Sequence, residues 1–187
     1  MNAEQEANGT HRVQLILSAK SSGLSGHASK SAATPDMEQR FTKALGSAAA
    51  EVFEMMVGIP LAPSDQATLP QTADYTAMIG LAGDLCGVLS FRCRSDSAAR
   101  IAGKMLGTDE TASAECIRDA LGEICNIVAG SFKAQVSDVA AQCMLSVPTV
   151  VSGSDYQLYP LVDGLRIQIA RSLEGALIGM TLDLHGN

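Results

Sequence analysis

The feature that most constrains the fold is a stretch near the middle of the chain, about residues 111–136, that predicts one long helix. Its large apolar residues recur at i, i+4, i+7 and i+11, which places them in a single stripe: Ile117, Leu121, Ile124 and Val128. The same intervals on the opposite side hold Asp119, Glu123, Asn126 and Gly130. At roughly 100° per residue, Asn126 points about 180° away from Ile117. The helix therefore buries one face and presents a carboxylate and a carboxamide on the other.

A second long helix is predicted over residues 36–57, before the first strands. Asp36 is a suitable N-cap, and Gly58 is a suitable C-terminal residue before Pro60, which prevents continuation. Its expected buried stripe consists of Phe41, Leu45, Ala48, Val52 and Met55. The other methionines at apolar positions, Met144 among them, are also expected to fill the core.

Strands surround these helices. Residues 75–82 and 86–93 read as a hairpin with its turn at Gly83-Asp84, and a shorter helix opens at residues 95–97. After the long helix, residues 141–153 are β-rich and interrupted by Pro148, and two alternating strands follow around the turn Leu173-Glu-Gly175. This order predicts an α+β fold in which helices pack on a mainly antiparallel β-sheet. Residues 1–35 are expected to be a flexible tail and residues 36–187 one domain.

Composition excludes several classes of function. The formal net charge of −7 argues against non-specific binding to nucleic acid or to anionic lipid, and no apolar run approaches the roughly 20 residues of a membrane span. The five cysteines are scattered, without a C-x-x-C pair, as expected for a reduced cytoplasmic protein. Cys125, beside the apolar stripe of the long helix, is expected to be a packing residue rather than a nucleophile.

The polar face of the long helix has two readings. Glu and Asn on an exposed helix are usually only solvated. Asn is, however, a poor residue inside a helix, and Gly122 and Gly130 each cost about 1 kcal/mol relative to Ala. Those glycines would leave the surface bare beside Glu123 and Asn126, although Gly122 could instead serve close helix packing. A carboxamide can hold a water by donating and accepting hydrogen bonds, so the face could complete an active site on another protein.

The pattern Asp119-x-x-x-Glu123-x-x-Asn126, followed about 22 residues later by Pro148, resembles the signature of the CheC–CheX–FliY chemotaxis phosphatases. The layout of residues 36–187 resembles CheX more than its relatives. A weak second copy of the spacing, Ser47-x-x-x-Glu51-x-x-Glu54, has Glu where the first has Asn, as the resemblance to CheX implies.

The resemblance implies that the protein hydrolyses the aspartyl phosphate of a CheY-like response regulator. Asn126 would orient the attacking water, and Glu123 would pair with a lysine of the regulator. Asp119, Gly122 and Gly130 would contact the partner, and Pro148 would shape the strand behind the helix. The chain would have no cofactor of its own, because Mg²⁺ would reside on the regulator, and it would form a homodimer. The alternative is a non-catalytic CheX-like binding or scaffold module in chemotaxis or flagellar signalling.

Overall fold

The computed structural model describes residues 35–64, 73–108, 112–153, 156, 158 and 164–186. The predicted tail lies outside these residues except for Pro35, which already begins the first helix. Helix α1 spans Pro35–Val52 and continues as a π-helical turn over Phe53–Val57, while α2 spans Ser95–Leu106 and α3 spans Ala114–Gln135. Asp36 therefore lies within the first turn of α1 and does not cap it.

The strands form one antiparallel sheet in the described part of the chain. They are β1 (Ala62–Pro63), β2 (Tyr75–Ala82), β3 (Gly87–Cys93), β4 (Met144–Leu145), β5 (Thr149–Ser152), β6 (Gly164–Leu173) and β7 (Ala176–His185). The order is β1-β6-β7-β3-β2, and both β4 and β5 pair with the outer edge of β2. The predicted α+β fold with helices on a mainly antiparallel sheet is confirmed.

The edge formed by β4 and β5 contains an extra residue. Leu81 pairs with Leu145 and Met78 pairs with Thr149, so two residues of β2 lie opposite the three residues Ser146–Pro148. This is a β-bulge, which bends the strand locally and re-aims a side chain. The ring of Pro148, which has no N–H to donate to the ladder, is compatible with this position because the bulge already interrupts the pairing.

The helices cover one face of the sheet and enclose the core. The predicted stripe of α3 is buried as expected, and Phe132 on the same helix meets Phe41 of α1 edge-to-face, with 5.7 Å between ring centroids. Phe53, in the π-helical turn, makes the same kind of contact with Phe91 of β3. These two aromatic pairs connect α1 to α3 and to the sheet.

Two methionines are not where the sequence predicted. Met55 is 73% exposed and Met144 is 68% exposed, so neither fills the core. A π-helical turn contains more residues than an α-helical turn, which rotates the side chains that follow its start. Phe53 and Val57 are consequently buried, and Met55 points to solvent. Met144 lies on β4, at the outer edge of the sheet.

Candidate functional site

The outer face of α3 carries the polar residues that the sequence predicted there. The helix begins after Ser113, whose hydroxyl accepts a hydrogen bond from the backbone N–H of Cys116 at 3.2 Å. Asp119 and Glu123 are exposed, and Asn126 and Gly130 are half-buried. A carboxylate and a carboxamide one turn apart are thus accessible on a helix whose opposite face is fixed in the core.

Gly122 does not lie on the open face, so of the two alternatives that the sequence left for it, a bare surface and close packing, the structure shows close packing. It is buried, and a Cβ placed on it would lie 3.6 Å from Cβ and Cγ of Pro148 and 3.6 Å from Cγ2 of Val150. The side of α3 next to Glu123 therefore faces the β4–β5 edge. Gly130, in contrast, faces open space, with no atom within 4 Å of such a Cβ.

Helix α1 borders the other side of α3. Glu51 accepts hydrogen bonds from Ser47 at 3.2 Å and from Ser131 of α3 at 3.4 Å. The exposed ion pair between Arg40 and Asp138 joins the start of α1 to the residues after α3. Glu51 and Glu54, the carboxylates of the weak second motif, are both exposed.

Cys125 lies within the motif but cannot act as a nucleophile. Its side chain is fully buried, and burial raises the pKa of its thiol to about 12. The thiolate, which is the reactive form, is therefore negligible at neutral pH. The prediction that Cys125 is a packing residue is confirmed.

Sequence reasoning missed Val147, which lies in the bulge beside Gly122 and is 82% exposed. It precedes Pro148, so it is adjacent in the chain to the residue that contacts α3. Pro148 was visible in the sequence as a break in a β-rich stretch. The bulge itself depends on the register with β2, which local patterns do not reveal.

The polar groups on this surface can position a water or a cationic group by hydrogen bonding. In the described part of the chain, no three His, Cys, Asp or Glu side chains lie together as a metal site would require, and no helix there is long and apolar enough to cross a membrane. The carboxamide of Asn126 can hold a water, and the carboxylate of Glu123 can accept hydrogen bonds from a cationic group.

Comparison with known proteins identifies the family. Residues 75–170, about half of the chain, match the family described as chemotaxis phosphatase CheX. The chain belongs to the CheX family. The matched residues include α3, the bulge and strands β2 to β5. No curated protein sequence matches the chain.

Solved structures show the same fold. The chemotaxis protein CheX from Vibrio vulnificus has a TM-score of 0.68 at 23% identity, covering 78% of this chain and 96% of that one. A CheC-like superfamily protein from Shewanella sp. PV-4 has a TM-score of 0.68 at 25% identity, covering 79% and 98%. CheX from Borrelia burgdorferi, solved as a CheX–CheY–BeF3–Mg²⁺ complex, has a TM-score of 0.64 at 19% identity, covering 78% and 97%.

Proposed function

We propose that this chain hydrolyses the aspartyl phosphate of a CheY-like receiver domain, which supplies the rest of the active site. The observation that carries the proposal is the placement of Glu123 and Asn126 one turn apart on the accessible face of α3, in a member of the CheX family. The Borrelia burgdorferi relative, which was solved with CheY, supports a receiver domain as the partner.

In the proposed mechanism, Asn126 enters the phosphorylated site of the receiver and holds the attacking water by donating and accepting hydrogen bonds. The water oxygen forms a bond to phosphorus as the bond from phosphorus to the aspartyl oxygen breaks. The products are the aspartate carboxylate and inorganic phosphate, which also takes the proton of the water. Asn126 neither gains nor loses a proton, so its contribution is orientation alone.

Glu123 is proposed to pair with a lysine of the receiver. Its carboxylate is exposed, and the exposed carboxylate of Asp119, one turn earlier on the same face of α3, adds negative charge beside it. Such a surface attracts a cationic group and fixes the register of docking. Asp119 and Gly130 are proposed as further contacts with the receiver. Gly122 is instead proposed to let α3 pack closely against Pro148 of the sheet edge.

The chain is proposed to need no cofactor of its own, because the Mg²⁺ that the reaction requires would be bound by the receiver. A homodimer is the proposed working form, because the resemblance to CheX implies one. The cytoplasm is its proposed location, because the cysteines are scattered and form no C-x-x-C pair.

The test is the decay of a phosphorylated CheY-like receiver with and without this protein. We expect Asn126→Ala to reduce the acceleration about 100-fold, in the range found when one positioned catalytic donor is removed. Glu123→Ala should raise KM, and its effect should shrink as salt is added because exposed charges are screened. Met37→Ala, at the distant first turn of α1, is the control and should leave the rate unchanged.

Acceleration by Asn126→Ala equal to that of the natural protein would contradict the mechanism. Binding of the receiver with no change in phosphate lifetime would instead indicate the non-catalytic binding module.

A further inference from the structure

The bulge at Ser146–Pro148 exposes an apolar side chain, Val147, one residue before the proline that packs against α3. Val147 is 82% exposed, and its neighbour Pro148 packs against Gly122, the residue that precedes Glu123 on α3. A single exposed valine is common on protein surfaces. Here, however, its surroundings fix its position, which is unusual for an exposed loop residue.

Three hydrogen bonds hold the bulge. The N–H of Ser146 donates to the carbonyl oxygen of Gly80 at 2.9 Å, and the N–H of Gly80 donates to Oγ of Ser146 at 2.9 Å. The hydroxyl of Ser146 in turn donates to the carbonyl oxygen of Val147 at 2.8 Å. The serine side chain thus replaces the backbone partner that Gly80 loses at the bulge. Val147 is presented by an ordered backbone, so docking against it costs little conformational entropy.

The geometry also determines what can cover Val147. For Asn126 to reach a phosphoryl group, the surface of the receiver must approach the outer face of α3 closely. The bulge borders that face along the side of Gly122. A receiver seated on α3 therefore also meets the bulge.

We propose that Val147 determines which receiver domains the protein accepts, by packing against an apolar surface beside the phosphorylated aspartate pocket of the partner. This inference rests on the function proposed above. Glu123 and Asn126 act on groups that the chemistry requires of every receiver substrate. An apolar contact at the rim can instead differ from one receiver to another, and it provides selectivity without touching the reacting atoms.

The experiment uses the full chain with a purified CheY-like receiver phosphorylated by acetyl phosphate, and measures KM and kcat separately. Val147→Thr keeps the shape of the side chain but replaces one methyl group by a hydroxyl, and Val147→Asp introduces a charge. We expect KM to rise about threefold for the first variant and at least tenfold for the second, with kcat within twofold of the natural protein. Leu106→Asp, at the end of α2 and 54% exposed, is the matched control and should leave KM unchanged.

Salt distinguishes the apolar contact from the ion pair, because the KM effect of Val147→Thr should persist in high salt and that of Glu123→Ala should not. A KM unchanged in both Val147 variants, with the natural protein active, would overturn this inference alone. A natural protein that neither binds nor accelerates any receiver would overturn the proposed function. Calorimetric binding to a receiver carrying BeF3⁻, a stand-in for the phosphoryl group, checks the contact without hydrolysis: weaker binding of Val147→Asp supports it, and equal binding refutes it.

Discussion

Gly122 of α3 and Pro148 of the sheet edge lie in direct apposition: a Cβ on the glycine would stand 3.6 Å from two carbons of the proline ring. The distance is that of ordinary van der Waals contact, so the gap admits a methyl group and nothing larger. The two residues thereby set the distance between the helix that carries Asn126 and the bulge that carries Val147.

Substitutions at the two glycines of α3 should differ accordingly. Gly122→Leu should lower the free energy of unfolding by about 1–3 kcal/mol, because the larger side chain must displace Pro148 and Val150. In Gly130→Leu the new side chain enters open space, so this variant should raise the free energy of unfolding by up to about 1 kcal/mol through better helix propensity. Denaturant unfolding of both variants measures the difference, and equal stability would show that Pro148 yields freely.

Asn126→Ala should separate stability from activity. Asn competes with helical hydrogen bonding and Ala does not, so we expect the free energy of unfolding to rise by a few tenths of a kcal/mol. The same variant is expected to lose the acceleration of dephosphorylation. Thermal unfolding recorded beside the kinetic assay tests this; a variant that unfolds several degrees earlier would show that Asn126 has a structural role.

Because of the π-helical turn at the end of α1, substitutions at Met55 and Phe53 should have very different effects on stability. Met55→Lys should change the free energy of unfolding by less than about 0.5 kcal/mol, because the side chain is already in solvent. Phe53→Ala should cost about 3–5 kcal/mol, because it removes a buried ring that contacts Phe91. Chemical denaturation compares the pair. A large loss for Met55→Lys would place that side chain in the core, as an uninterrupted α-helix would require.

The cysteines should divide by burial in a thiol-labelling experiment. Burial raises the pKa values of Cys93 and Cys125 to about 12, so at pH 8 both remain protonated as well as shielded from solvent. Iodoacetamide at pH 8 should therefore modify the half-buried Cys86 and Cys116 first in the folded protein. Mass spectrometry of the digested protein identifies the sites, and unfolding in denaturant should expose the three buried cysteines, Cys93, Cys125 and Cys143. Early modification of Cys125 in the folded state would contradict its position.

Breaking the hydrogen bonds of the bulge should weaken binding of the receiver more than it lowers the stability of the fold. Ser146→Ala removes the acceptor for the N–H of Gly80, at a cost of about 1 kcal/mol in unfolding free energy. Since the hydroxyl also binds the carbonyl of Val147, we expect KM for the receiver to rise while kcat is kept. Ser137→Ala, exposed after α3, is the control and should leave KM unchanged.

Local signals predicted much of the fold. Gly58 and Gly107 end their helices in the left-handed conformation, and Glu174-Gly175 forms the turn between the last two strands with positive φ at both residues. Glycine at these places is a backbone requirement that can be read from neighbouring residues. The outward placement of Glu123 likewise follows from helical periodicity alone.

The errors have long-range causes. The exposure of Met55 depends on a π-helical turn in which Phe53 packs on the distant β3, and helical periodicity assumes no such turn. The sequence left Gly122 either in the open or in close packing, because nothing in it shows that Pro148 lies beside this glycine. The bulge that exposes Val147 follows from the register between β2 and a segment more than 60 residues away in the chain, which is decided by tertiary packing.

The bulge has a consequence for how such a protein can change over evolutionary time. An extra residue at the edge of a sheet is backed by solvent, so its side chain can be exchanged with little effect on folding. Asn126 sits on a helix that the core holds in place, and most changes near it are expected to be costly. If the proposed function and the proposed role of Val147 hold, mutations at the edge would retarget the protein to a new partner while the helix kept its chemistry, and duplicated copies within one cell would diverge in signalling without first losing activity.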